Sequence, residues 1–256
     1  MSILANSFGY FIQSSTSCLI FVKTSIVKLK HVFLLTILIL LVDQLLKVYI
    51  KTNFYLGQEK VLINALPWMR LHFIENEGMA YGWKLGGGWG KIALTVFRLV
   101  AVIVGTFYIK GVIEKKYHVG YIICVTFIYA GAIGNLIDSL FYGMIFEFSD
   151  PYGQNLAYGI WQKGFQGGYA NLLHGKVVDM LYFPIIEGAT FPSWVPIWGG
   201  ESFEFFRPVF NIADAAISGG VISILVFQTK FFPTVAAETP KATEPISTEQ
   251  NESPTE

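Results

Sequence analysis

The chemistry in this 256-residue chain is concentrated in carboxylates and amides set inside apolar sequence. Asp43 and Lys47 lie four apart, hence on one helical face, with the acid N-terminal to the base in the favoured order for an ion pair. Asn135 and Asp138 share a face at i, i+3, and Asn211 and Asp214 repeat that spacing. Asp179 stands in the β-branched run Lys176-Val177-Val178-Asp179-Met180, which otherwise reads as a buried strand or the start of a helix. Ionisable groups in such surroundings are costly, so each needs a partner or a function. Two carboxylates converging in a poorly solvated site cannot both ionise cheaply: one keeps a proton while the other acts as base. That arrangement activates a water against a carbonyl and later protonates the leaving amine, which is aspartic-protease chemistry. Structural readings stand beside it, with Asp43–Lys47 as a buried ion pair and Asn135 and Asp138 as braces between helices. Spacing alone does not choose Asp179 with Asp214 over Asp138 with Asp214.

Other chemistries find less support. There is no G-x-S-x-G and no H-E-x-x-H, and His31, His72, His118 and His174 are scattered. Cys18 and Cys124 lie in apolar stretches without C-x-x-C spacing, so neither a disulfide framework nor a zinc site is suggested, and no cofactor is implied. The formal net charge is zero, with no basic cluster interleaved with aromatics, which sets nucleic-acid binding aside.

The elements that must position these residues belong to a bilayer. With 53% hydrophobic and 14% charged residues and a mean hydropathy of +0.51, the chain is too apolar for an ordinary soluble domain. Four segments, about 32–50, 92–113, 120–142 and 209–229, are long enough to span the hydrocarbon. A shorter stretch, 8–22, reads as a signal-like segment or the product of a mis-set start, because the motif-bearing chain begins near Leu29 and Lys30. Lys23, Lys28 and Lys30 before the first span, and Lys110, Lys115 and Lys116 between the second and third, mark those flanks as cytoplasmic. Lys51, Lys60, Arg70, Lys84 and Lys91 make the first outer segment less clear-cut than that rule prefers. The outer segments 51–91 and 143–208 are rich in Gly, Pro and aromatics, with alternating runs such as Arg70-Leu71-His72-Phe73-Ile74, and are expected to form small strands against the membrane surface. The expected organisation is an N-terminal extension (1–30), a four-helix membrane domain (31–232) carrying the insertions 51–91 and 143–208, and a disordered acidic tail (233–256). The fold class is thus a membrane all-α core with four transmembrane helices, a small extracytoplasmic β-platform and interfacial loops.

Five blocks, in order, resemble the lipoprotein signal peptidase (signal peptidase II) family. They are Asp43-Gln44-Leu45-Leu46-Lys47; Asn76-Glu77-Gly78-Met79-Ala80-Tyr81-Gly82; Gly131-Ala132-Ile133-Gly134-Asn135-Leu136-Ile137-Asp138; Val177-Val178-Asp179; and Phe210-Asn211-Ile212-Ala213-Asp214. The resemblance implies a membrane aspartic endopeptidase that cuts before the diacylglyceryl-modified cysteine of a prolipoprotein. It assigns catalysis to Asp179 and Asp214, and substrate binding or support to Asp43, Lys47, Asn76, Gly78, Asn135, Asp138 and Asn211. It further implies a monomer in the bacterial inner membrane, multi-pass, with its site at the outer face, and a lipid-modified precursor and membrane lipids as partners. Three features depart from the family pattern. Ser139 stands where the block Asn-x-x-Asp-Arg has arginine, leaving Arg70, Arg98 or Arg207 to supply a guanidinium. The stretches 143–176 and 180–209 are long, which suits a lid or a lipid-contacting surface. The extension and tail match nothing in it. A small ion- or proton-coupled carrier and a non-catalytic membrane scaffold are the rival readings, the first because intramembrane Asp, Lys and Asn also suit a relay.

Overall fold

The computed structural model describes residues 27–77, 88–152 and 155–232; Gly78, the extension through residue 26 and the acidic tail lie outside the described residues. Helix α1 (Leu29–Asn53) shows how this sequence folds in lipid. Its buried stripe includes Asp43, Lys47, Ile50 and Lys51, whereas Leu34, Leu38, Leu41 and Leu45 face outward. The polar face turns inward because a bilayer solvates leucine and not charge, so the ionisable groups find one another inside the bundle. Helices α2 (Gly88–Glu114) and α3 (Val119–Ile137) follow, and α3 continues through a π-helical turn (Asp138–Tyr142) into the single turn α4 (Gly143–Ile145). Among the described residues three helical stretches are long and apolar enough to cross a membrane: Leu29–Asn53, Trp89–Glu114 and Val119–Ile145. The apolar helix α5 (Ile212–Val226) has 15 residues, shorter than the continuous helix expected over 209–229. Asn211 caps it at one end, and at the other the chain breaks at Phe227 before the short α6 (Gln228–Phe231).

Helix α3 lies at the centre, packed on α1, α2 and α5. Small residues permit this closeness: a Cβ on Gly131 would come within 2.3 Å of the Ala213 backbone oxygen, and one on Gly134 within 2.7 Å of the Asp43 carboxylate.

The segments expected on the outer face form small sheets, as their alternation predicts. Strands β1 (Glu59–Ile63) and β2 (Leu66–Asn76) make an antiparallel hairpin, and β3 (Val177–Tyr182) pairs antiparallel with β2. The register sets Asn76 opposite Val177 and Ile74 opposite Asp179. Strands β4 (Ile186–Thr190) and β5 (Ser202–Phe205) form a separate hairpin. The chain then returns to β3, where Phe210 and Leu181 exchange backbone hydrogen bonds of 3.0 and 2.7 Å just before α5 begins. A core of Ile50, Phe54, Leu71, Phe73, Tyr142, Phe146, Val178 and Met180 fastens the three-stranded sheet to the helix ends. The long stretch after α4 folds back on the bundle, with Gly175 N–H donating to the Ser139 carbonyl at 3.0 Å and Ala170 N–H to that of Gly143 at 2.9 Å.

Candidate active site

Asp179 projects from β3, a strand buried along nearly its whole length, and is itself 4% exposed. One carboxylate oxygen accepts from Asn211 Nδ2 at 2.7 Å and the other from Asn76 Nδ2 at 3.2 Å. Asp214 occupies the third position of α5 because Asn211 is the cap. The Asn211 side chain accepts from Asp214 N–H at 2.9 Å, while the Asp214 carboxylate faces the Asn211 N–H in return. The other Asp214 oxygen accepts from Asn135 Nδ2 at 2.7 Å. Asn211 Nδ2 also lies 3.1 Å from Asn135 Oδ1, so two amides tie the carboxylates of β3 and α5 into one network. The spacings Asn135/Asp138 and Asn211/Asp214 thus read correctly as shared faces, but the structure turns the two asparagines toward each other.

Beneath that network sits a fully buried ion cluster. The Lys47 ammonium is 2.9 Å from Asp43 and 2.8 Å from Asp138, and donates to Asn135 Oδ1 at 3.1 Å, so its three protons have three acceptors. Asp138 also accepts from Gln44 Nε2 at 3.0 Å and lies 3.3 Å from the Val178 N–H. Asp43 accepts from the Ala213 N–H at 2.9 Å, satisfying one of the free donors at the start of α5 and fixing α1 to the element that carries Asp214. Lys47 and Asp43 therefore form the ion pair their spacing predicts, with Asp138 as a third member. Asp138 is enclosed by cation and amide donors, whereas Asp179 and Asp214 share the upper network.

The electrostatics separate Asp179 further. Burial first, and then the like charge of Asp214, push its carboxyl up to about 7, against the opposing pull of Asn76, Asn211 and Lys47. A carboxyl in that range exchanges its proton near neutral pH, which suits general acid–base work. Among the described residues no group of three His, Cys, Asp or Glu side chains is placed to hold a metal ion.

Two contributors escape the sequence reading, and a third was left open among its candidates. Gln44 touches Asp43, Asp138 and the Gly134 carbonyl and accepts from Tyr142 Oη at 3.1 Å; its one signal is its place inside the first motif block. Glu75 is buried beside Lys51, accepts from Ser149 Oγ at 2.8 Å and lies 3.5 Å from Lys176. Lys51 also donates to Ser149 at 2.6 Å, so it is part of a buried pair and not one of the free outer charges that blurred the orientation reading. Its signal was an acid at position 75 within an apolar alternating strand. The third is the Arg98–Ser139 contact, 2.8 Å from Nη1 to Oγ, with Ser139 in turn donating to the Asn135 carbonyl. Of the three candidate arginines, Arg98 thus meets the substituted position and has Asp214, Asp138 and Asp179 as its carboxylate neighbours. Arg70 instead bonds Glu59 and Glu187 on the exposed sheet.

Comparison with known proteins matches the sequence to one family. The profile of the signal peptidase (SPase) II family matches residues 35–230. A lipoprotein signal peptidase of Porphyromonas gingivalis is 47% identical over 198 residues, covering 77% of this chain and 82% of that one. A lipoprotein signal peptidase of Amoebophilus asiaticus is 33% identical over 196 residues, covering 75% of each. A solved bacterial membrane enzyme, 20% identical, aligns with 80% of this chain and 96% of its own at a TM-score of 0.49.

Proposed function

This chain belongs to the signal peptidase (SPase) II family, and on that premise we propose that it removes the signal peptide from diacylglyceryl-modified prolipoproteins by cutting before the lipidated cysteine. It is a membrane aspartic peptidase, and the family's activity displaces the carrier and scaffold readings. The observation that carries the site assignment is the pair of carboxylates from β3 and α5 joined through Asn135 and Asn211, with Asp179 pushed up to about 7.

In this reading the dyad holds one proton, seated on Asp179, the more enclosed carboxyl. Asp214, half-buried and free of the Lys47 cluster, takes a proton from the attacking water while Asp179 donates toward the scissile carbonyl oxygen. Collapse of the tetrahedral adduct returns a proton from the dyad to the leaving amine, so no covalent enzyme intermediate forms. Asn135 and Asn211 orient the carboxylates, and Asn76 offers an amide at the substrate side of Asp179. Asp43, Lys47 and Asp138 hold the helices in register, and Gly78 follows Asn76 in the same motif.

The domain bounds are proposed as 31–232, a monomer in the bacterial inner membrane with the site at its outer face. The fourth span would be made by α5 together with α6 and the flanking apolar residues from Val209. Membrane lipids would surround it, and no nucleic acid or cofactor would take part. The test is a gel-shift assay with purified protein, its Asp179→Asn and Asp214→Asn variants, a diacylglyceryl-modified prolipoprotein and an unmodified control. Processing of the lipidated substrate alone, absent in both variants, is the expected result. Full activity in either folded variant would overturn the dyad.

A further inference from the structure

We propose that the β4–β5 hairpin is a membrane foot, seating Trp194, Ile197 and Trp198 in the lipid interface on the side of the bilayer that holds Asp179 and Asp214. The proposal concerns a surface and stands independently of the peptidase assignment. Its first support is composition. From Phe183 to Phe206 the chain contains no Lys, Arg or His; it is built of Phe, Ile, Trp, Pro and small residues, with Glu187, Glu201 and Glu204 as its charges.

Exposure is the second. Trp194 is 80% exposed, Ile197 87% and Trp198 53%, and Ile185, Ile186, Phe205 and Phe206 are exposed along the same hairpin. Contiguous apolar surface of this kind marks a partner or a membrane. The loop is nevertheless well formed. Phe191 stacks on Phe203 with ring centroids 4.5 Å apart, and the turn closes through the Phe191 N–H donating to the Glu201 carbonyl and the Gly200 N–H donating to the Phe191 carbonyl, each at 2.9 Å. Ile197 sits at φ 73°, a left-handed conformation that a β-branched residue rarely adopts. Strain of that kind clusters at functional segments, and here the strained residue is the most exposed of Trp194, Ile197 and Trp198.

Position supplies the third. Phe206 and Phe183 pack edge-on against Phe210 at 5.8 and 5.5 Å, and Phe210 immediately precedes the Asn211 cap of α5. The hairpin is therefore rooted where an apolar helix begins. Val221, Ile222 and Leu225 face outward in the far half of that helix, so the hairpin is rooted at one end of an element whose other end presents the apolar side chains a bilayer solvates. A strand of five residues extends about 17 Å, enough to lie along the interface from that root. Tryptophan favours this layer because its ring is apolar and its N–H finds headgroup or water partners. Without a cation the tip has no means of recognising anionic headgroups, so insertion is apolar and insensitive to salt. On the protein side the hairpin is tied to β2 through Arg70 and Glu187, an exposed bridge of small worth.

The experiment places an environment-sensitive fluorophore at Ile197→Cys in full-length protein with Cys18→Ser and Cys124→Ser, reconstituted in phosphatidylcholine nanodiscs. Lys60→Cys, on the exposed face of β1, is the water-facing reference. Expected are blue-shifted emission at position 197 and severalfold stronger quenching by lipid carrying a nitroxide near the headgroup than by lipid labelled at mid-chain. Iodide should quench the position-60 label severalfold more than that at 197, at low and high salt alike. Equal iodide quenching at the two sites would overturn the proposal. So would lipid-like emission that develops only on adding lipidated precursor, which would make the tip a substrate surface, or only when two proteins share a disc, which would make it a dimer contact. A Trp194→Ser/Trp198→Ser variant, labelled at the same position, should lose the blue shift while the label at position 60 stays unchanged.

Discussion

Replacing Asp179 with asparagine should abolish cleavage and, at neutral pH and above, stabilise the fold. The carboxyl shifts from 3.8 to about 7 on folding, chiefly because β3 and α5 withdraw it from water. Each pK unit corresponds to about 1.4 kcal/mol, so the folded state loses roughly 4 kcal/mol of stability from this group as it ionises. The direction follows from proton binding. A folded-state pKa above the unfolded one means that the native state binds more protons, so this stability is fully present below 3.8 and is lost progressively as pH rises to about 7. Asparagine cannot ionise and removes that slope. It also presents a donor to Asn76 or Asn211, both of which donate to the native carboxylate, at a cost of about 1 kcal/mol. The net expectation is a gain of roughly 3 kcal/mol at about pH 8 and a loss of about 1 kcal/mol near pH 4. Melting in detergent across that range reads it directly: the wild-type midpoint should fall toward alkaline pH and the variant's should stay flatter. A variant that melts below wild type at alkaline pH, or tracks its slope, would refute burial as the origin of the Asp179 shift. The same shift predicts that wild-type cleavage changes with pH near 7 as Asp179 loses its proton.

Lys47→Met strands Asp43 and Asp138 in the bundle without their shared cation, and should cost roughly 3–5 kcal/mol of stability, read as a lower melting midpoint. An unchanged melt with lost turnover would move Lys47 from support into the site. Gly131→Ala places a Cβ 2.3 Å from the Ala213 backbone oxygen, so α5 must shift and carry Asp214 with it; a loss of about 1–3 kcal/mol and slower cleavage are expected, and wild-type values of both would contradict the close packing. Arg98→Ala should lower kcat/KM, and adding Ser139→Arg should restore part of it, because the two side chains meet at 2.8 Å and either position can present a guanidinium beside Asn135. Folded double variants without any recovery would separate Arg98 from that role.

Local periodicity was legible in the chain. The four-residue step from Asp43 to Lys47 and the three-residue steps in Asn135/Asp138 and Asn211/Asp214 fix shared helical faces wherever the helices form, and Gly131 and Gly134 announce close approach. The alternation after Arg70 gave β2, and the apolar lengths gave α1, α2 and α3. The resemblance of five ordered blocks pointed to the family and to Asp179 with Asp214. Spacing by itself left Asp138 as an equal candidate, and it hid the roles of Gln44, Glu75 and Lys51 and the choice of Arg98 among three arginines.

Those matters were decided in space. Asp138 sits in an ion cluster because α1 delivers Lys47 and Gln44 to it, while the Phe210–Leu181 pairing brings the start of α5 alongside β3 and sets Asn211 between Asp179 and Asp214, the contrast on which the proposed dyad rests. The length of α5 was likewise set by the Asn211 cap and the break at Phe227, not by the apolar run. The physical reason is range: a repeat of a few residues determines which side chains share a face through bond geometry alone. Which faces then meet depends on helix packing and strand register, and these satisfy buried charges drawn from segments far apart along the chain.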